Sequence, residues 1–351
     1  MRHTIGGSGS AILAALLLAP LPSWALWEDK LEVFAQENIT YDSNVFRISD
    51  KLDPNLIINS GGKSDTVFTT AVGFNLDVPW SLQRLQLSFA FLDARYNTFS
   101  DLDHHGHVAN AAYQWAITPR ITGELGYREE ETLASFANIQ GRRPDLVTAR
   151  MAYANGAWMT TPSWRVHGAV IANQTEHSDF RQIQDLESTS VETGLSYVTA
   201  QENRIGVAVR GERGRSPSAG QIVQGIPFDN GYEQTSVGVQ GRWVLTGHSR
   251  LDGRVDYTRR RYDQFTQRNY AGPTFNAIYT WTPTGKITVA TVLQRDVAPL
   301  EDIAATFVLV TGITVRPDWQ ISDKLSLRGS FAYAKWDYRG DTRSASTSSI
   351  G

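Results

Sequence analysis

The sequence contains no cysteine, which excludes a disulfide framework, a thiolate metal site and a cysteine nucleophile. After the first two dozen residues it also lacks any apolar run near the about 20 residues of a membrane-spanning helix, so a helical membrane protein is excluded. Charge of one sign is missing as well: the formal net charge is −3, which gives no electrostatic footprint for nucleic acid. His167, His177 and His248 lack the partner pattern of a nucleophile and its base. No enzyme is expected. His104, His105 and His107 cluster in a loop after Phe99, but without cysteine or carboxylate partners at fixed spacing they predict neither a metal site nor a cofactor.

What the chain has is alternation. Hydrophobic residues are 41% and aromatics 11% of the sequence, proportions suited to apolar surface spread over many strands. Between Asp65 and Phe99, Phe68, Thr70, Val72, Phe74, Leu76 and Val78 fall on one face, and Leu85, Leu87, Phe89 and Phe91 continue it after the turn at Pro79–Gln83. This is a hairpin with one apolar face. Its arms exceed the about 5–6 residues usual in soluble sheets and match the about 9–11 needed to cross a bilayer at a tilt.

The unit recurs. A first strand over Leu31–Phe46 puts Gln36, Asn38, Thr40, Asp42 and Asn44 opposite Val33, Ala35, Ile39 and Tyr41, with Glu37 breaking the apolar face. Later hairpins begin at Ala109, Val147, Val191, Val237, Phe275 and Phe307; in the second of these, Val147, Ala149, Met151 and Tyr153 read as the apolar face and Arg150 as the polar one. Short turns such as Thr118-Pro119 and Thr161-Pro162 alternate with longer polar loops such as Phe136–Pro144 and Arg215–Asn230. That asymmetry is the mark of a bacterial outer-membrane barrel with short periplasmic turns. Trp80, Trp115, Trp158, Tyr197, Trp243, Trp281 and Trp319 lie at or beside the short turns, as an interfacial aromatic girdle requires.

Residues 1–25 read as a cleaved secretory signal: Arg2 and His3, an apolar run from Ala11 to Leu18, and the small-residue pattern Ser23-Trp24-Ala25. Residues 26–351 then form the barrel. Fifteen strand candidates lie between Leu31 and Tyr338, and single-chain barrels close with an even number. The Ser/Thr-rich residues from Gly340 read as the start of an outer loop. The expectation is an all-β, antiparallel outer-membrane barrel of about 16–18 strands, with the C-terminal strand or strands missing here.

The polar faces carry Gln86, Glu124, Arg128, Glu130, Arg150, Arg165, His167, Glu192, Arg210, Glu212, Arg242, Arg254, Asp256, Arg260, Arg295 and Arg328, where arginine outnumbers acid. In one reading they line a hydrated channel and meet an anionic or heavily hydroxylated solute. In the other they pair across strands and fill the lumen. Both stay open on the residues alone. The run Arg259-Arg260-Arg261, near the outer end of a strand, reads first as a solvated charge cluster and second as a contact for lipopolysaccharide phosphate.

The segment Thr40-Tyr41-Asp42-Ser43-Asn44-Val45-Phe46-Arg47 resembles one found early in outer-membrane barrels associated with exopolysaccharide operons and exosortase B systems, the EpsL-like family, and in related β-barrel porins. Asp42, Asn44, Phe46 and Arg47 are the matching positions. The resemblance implies a Gram-negative outer-membrane barrel that takes part in exopolysaccharide biosynthesis or export as a polysaccharide conduit. It also implies membrane lipid and lipopolysaccharide, periplasmic export components and the barrel-assembly machinery as partners. Asp42 and Asn44 share a face with Thr40 and suit either sugar hydroxyls or a strand-end turn; inward Phe34 and Phe46 suit stacking on sugar rings. The other function that fits is a general diffusion porin or a structural, adhesive barrel.

Overall fold

The computed structural model describes residues 13–17, 30–49, 52–134, 136, 142–178, 182–218, 221–223, 226–264, 266, 269–298, 308–322, 325–338 and 346–350. Among them, β1 (Leu13–Leu17) lies antiparallel to β2 (Leu31–Asp42), which pairs with β3 (Asp65–Trp80). From there each strand pairs with the next: β4 (Gln83–Tyr96), β5 (His104–Thr118), β6 (Ile121–Leu133), β7 (Leu146–Thr161), β8 (Trp164–His177), β9 (Leu186–Val198) and β10 (Arg204–Arg215). A small ribbon of β11 (Gln221–Val223) and β12 (Ile226–Phe228) interrupts the series. The sheet resumes with β13 (Tyr232–Thr246), β14 (Ser249–Tyr262), β15 (Tyr270–Thr284), β16 (Ile287–Ala298) and β17 (Val308–Ser322). β18 (Leu325–Arg328) and β19 (Phe331–Tyr338) both pair with β17 as two pieces of one strand, and β20 (Ser346–Ile350) lies along β19. No ladder among the described residues joins the two ends of the sheet.

The ladders carry the predicted alternation from strand to strand. Phe74 stands opposite Val33 on one side and Phe89 on the other; Val255 stands opposite Val239 and Phe275. Val72, Val170, Val191, Val207, Val239 and Val255 are all exposed. An aliphatic wall of this kind is stable only in hydrocarbon, with the polar faces turned inward. Two-residue turns at 81–82, 119–120, 162–163, 247–248 and 285–286 mark one end of the sheet, while the connections at 43–64, 97–103, 134–145 and 216–231 mark the other. Trp80, Trp158, Trp243, Trp281 and Trp319 are exposed at the short-turn end, as expected. The indole of Trp115 instead lies against Gly123 and Gly156: a Cβ on either glycine would fall 2.3 or 3.6 Å from the ring.

His104, His105 and His107, read as loop residues, open β5, and three further details of the strands differ from the sequence reading. β2 ends at Asp42, and residues 43–46 turn away, because the Asp42 side chain accepts the backbone N–H of Asn44 at 2.9 Å and stops the ladder. Ser346–Ile350 is a strand rather than loop, since an extended polar run satisfies the open edge of β19 whatever its side chains. The faces of β7 are exchanged. Tyr153 lies opposite Gly126, its ring against that glycine and its hydroxyl donating to Glu124, so Val147, Ala149 and Met151 face inward with it and Arg150 faces outward. Gly126→Val would drive a Cβ to 2.2 Å from the Tyr153 ring. The expected loss is about 1–3 kcal/mol of overpacking, read as a lower temperature for the loss of the compact band in a heat-modifiability gel; an unchanged temperature would contradict the exchanged face.

Candidate functional site

The inner face of β8–β14 contains a shallow bed of small residues. His167, Gly194, Ala208, Gly238 and Asp256 stand in one cross-strand row, so the middle three positions leave room that longer neighbours close over. Glu192 accepts from Arg210 (Nε 3.0 Å) and from Arg254 (Nη1 2.8 Å), and lies 3.5 Å from His167 Nε2. Arg254 also donates to Asp256 at 2.6 and 3.0 Å. Gln240 Nε2 is 2.9 Å from His167 Nε2, although β8 and β13 are separated by two strands and thus by about 14 Å of sheet. The sheet curls tightly enough here for side chains to meet across it, and Ala208 is 2% exposed beneath them.

Toward the long-loop end, the guanidinium of Arg260 sits 4.1 Å over the Tyr232 ring and donates from Nε to Gln234 at 2.7 Å. The Tyr232 hydroxyl donates to Glu212 at 2.5 Å. Ser236, Thr258 and Thr274 form a hydroxyl ladder at 2.9 and 2.7 Å. These groups line a cavity of ≈ 340 Å³, within the about 300–1,000 Å³ of small-molecule sites. Arg260 Nη1, His167 Nδ1 and Ser196 Oγ are buried without a hydrogen-bond partner among the described residues.

Toward the short turns, the inner face is cationic. Arg242 and Arg250 share Asp252 at 2.5 and 2.7 Å. Arg165 and Arg204, close enough to Arg242 to be repelled by it, have no ion pair among the described residues. Of the other arginines singled out in the sequence, Arg128 pairs with Glu130 (2.9 Å) and Arg328 with Asp318 (3.0 Å). Arg150 lies on the outer face with Glu129 (3.0 Å) and Glu176 (2.5 Å). The register also carries Arg295 to the face of Phe275 and Val255. Sequence reading missed Arg204, Arg250, Tyr232 and Gln240, which have no local pattern. It missed the bed of small residues too, because the row exists only once four strand registers are known.

Asp42, Asn44, Phe46 and Arg47 build an outer cap. Asn44 accepts the Ile48 N–H at 2.9 Å and donates to the Ile48 carbonyl at 2.8 Å, while Arg47, at φ 54°, reaches back to Asp42 at 2.8 Å. This closes the turn and drives Val45, Phe46 and Ile48 into a cluster with Ile58, Phe99, Leu102 and Phe136. Phe46 meets Phe99 edge-on and Phe136 at a tilt, both at 4.8 Å. Asp65 fixes the facing loop by accepting the N–H groups of Thr98 and Phe99 at 2.9 and 2.8 Å.

A bidentate contact from Arg142 to Asp101 ties the next loop to the cap, with the Arg142 guanidinium 5.0 Å over the Phe99 ring. The hydrogen bond from Arg142 holds the Asp101 carboxyl below its ordinary value. Because the folded-state value is the lower one, the contact stabilises the loop above the unfolded value of about 3.9 and is lost as pH falls below it. Exchange of the Leu102 and Asp103 amides should therefore accelerate between pH 5 and pH 3, relative to intrinsic rates, and Asp101→Asn should remove that pH dependence. A wild-type profile parallel to intrinsic exchange would contradict the tie.

No curated protein matches the chain. Among solved structures, a bacterial polysaccharide outer membrane secretin is 14% identical, covering 90% of this chain and 95% of that one at TM-score 0.42. The copper transporter OprC is 13% identical over 93% of this chain and 61% of its own, at TM-score 0.44. The ferric enterobactin receptor PfeA from Pseudomonas aeruginosa is 9% identical over 78% and 51%, at TM-score 0.39. The family described as Putative beta-barrel porin 2 matches residues 229–351, the stretch that carries β13 to β20 and the Tyr232, Arg254 and Arg260 side of the inner cluster. The chain folds as an antiparallel β-sheet of the outer-membrane-barrel type, with a porin-family match over residues 229–351, β13 to β20.

Proposed function

We propose that this barrel is a conduit for an acidic polysaccharide, acting in exopolysaccharide export. The observation that carries the reading is the excess of guanidinium groups at the short-turn mouth: of Arg165, Arg204, Arg242 and Arg250, the last two share Asp252, and no other ion pair is formed by the four among the described residues. A polyanion arriving from the periplasm meets charge there that the protein leaves largely uncompensated, then a wall of hydroxyl and amide groups suited to sugar hydroxyls. The resemblance of the Asp42–Arg47 segment to exopolysaccharide-associated barrels points the same way. In this reading residues 1–25 are the export leader and residues 26–351 the barrel, periplasmic export components deliver the chain, the barrel-assembly machinery inserts the protein, and no catalytic step is involved. The neighbour pairs Arg128–Glu130 and Arg328–Asp318 favour the second reading, a general diffusion porin whose inner charges only fill the lumen.

Conductance in a planar bilayer separates the two. Acidic oligosaccharide added on the short-turn side should block the channel, and neutral oligosaccharide should block it less. The triple variant Arg165→Ala, Arg204→Ala, Arg242→Ala should weaken that block at least about tenfold, since tenfold is about 1.4 kcal/mol and one charge-assisted hydrogen bond is worth about 1.5–3. Openings indifferent to every sugar would leave the porin reading standing.

A further inference from the structure

The outer surface above the lipid-facing wall is divided by charge. Over β4–β8 the outermost residues are mutually paired: Asp93 with Arg95 and His105, Glu129 with His107 and Arg150, and Arg150 with Glu176. Over β10–β14 most are not, although Arg215 pairs with Glu187 of β9 at 2.8 Å. Arg213 stands opposite Glu233, Glu233 opposite Arg261, and the neighbouring Thr235 opposite Arg259. These residues face outward because the ones between them, Glu212, Gln234 and Arg260, meet one another on the inner side. Arg213, Arg259 and Arg261 are exposed, and none has an ion pair or hydrogen bond among the described residues. Directly below, Tyr257 at 62% and Val237 at 52% exposure begin the apolar wall. The step from Tyr257 to Arg259 is about 7 Å along the strand.

We propose that Arg213, Arg259 and Arg261 form a site on the outside of the barrel for the phosphorylated saccharide headgroup of an outer-leaflet glycolipid. Three features of the row argue for a ligand over a solvated charge cluster. The arginines rise from paired strands and not from loops, so the spacing of their backbones is fixed: Arg213 and Arg261 lie two strand spacings, about 10 Å, apart. All three cations are arginine, whose planar fork holds phosphate with two hydrogen bonds. They stand where hydrocarbon ends, so a phosphate bound to them leaves its acyl chains against Val237, Val255 and Tyr257. The long connections at this end make it the extracellular one, hence the outer leaflet. The site is independent of the pore, and it holds for a conduit and a porin alike.

The test uses the full chain refolded in detergent and titrated, by native mass spectrometry, with bisphosphorylated lipid A, dephosphorylated lipid A and phosphatidylglycerol. The bisphosphorylated glycolipid should bind at least about tenfold more tightly than either of the others. Arg213→Ala with Arg259→Ala and Arg261→Ala should abolish the preference, Lys at the same positions should keep part of it, and Arg120→Ala at a short turn should leave it intact. If the triple Ala chain does not refold, Arg261→Gln alone should lower the preference by about threefold. Equal binding of dephosphorylated lipid A, equal binding of phosphatidylglycerol, or an unchanged preference in a refolded variant would each overturn the site.

Discussion

Phe46→Ala should unfasten the outer cap while leaving the barrel standing. The ring is 3% exposed and makes two aromatic contacts at 4.8 Å, to Phe99 and Phe136, which come from two other loops. Truncating a buried phenylalanine costs about 3–5 kcal/mol, and the paired rings add about 0.5–1.5 kcal/mol each beyond area. That total falls on a small cluster of seven buried residues, not on the long ladders, and local opening free energies are set locally. Protease should therefore nick the connections at 43–64 and 134–145 rapidly in the variant, while the band in a heat-modifiability gel stays compact. Phe46→Leu should fall between the two. If nicking is as slow in the alanine variant as in the wild type, the cap does not depend on the motif.

The strand plan was legible because it is written twice, once in alternation and once in turn length. The hairpin from Asp65 shows why: its apolar positions, read two by two, are those the ladder brings together, Val78 with Leu85 and Phe74 with Phe89. The face of β7 was misread because Met151 and Tyr153 look apolar in isolation. Counting back from Trp158 at the short turn, the same residue type that marks the girdle elsewhere, puts Ala154, Ala152 and Arg150 on the outside, and this is the face the register with β6 selects. The motif at Asp42–Arg47 was visible as a motif, but its work in the cap was not, since Phe99 and Phe136 are far away in sequence. Least legible was the inner cluster. Its charged members could be listed from alternation, whereas their meeting depends on Gly194 and Gly238 lying in one row, and curvature has no signature in a single strand.

Glu192→Ala should be the most damaging single change inside the barrel. The carboxylate, with its side chain 12% exposed, accepts from Arg210 and Arg254 and faces His167. Removing it leaves Arg254 with Asp256 and takes from Arg210 its ion-pair partner among the described residues. Breaking one partner out of a buried ion pair costs about 3–5 kcal/mol; residual water in the lumen and the 31% exposure of Arg210 favour the lower end, about 3. The temperature at which the compact band is lost should drop accordingly, and Glu192→Gln, which still accepts hydrogen bonds, should lose about half as much. The same change should raise anion over cation permeability, because Arg210 then loses its ion pair and Arg254 keeps only Asp256 on the inner wall. Glu192→Ala combined with Arg254→Ala should recover part of the stability and lose the added anion preference. That coupling separates a bridge spanning the curled sheet from charges that merely sit near one another: additive losses in the double variant would dissolve the bridge and leave the lumen wall as a set of independent pairs.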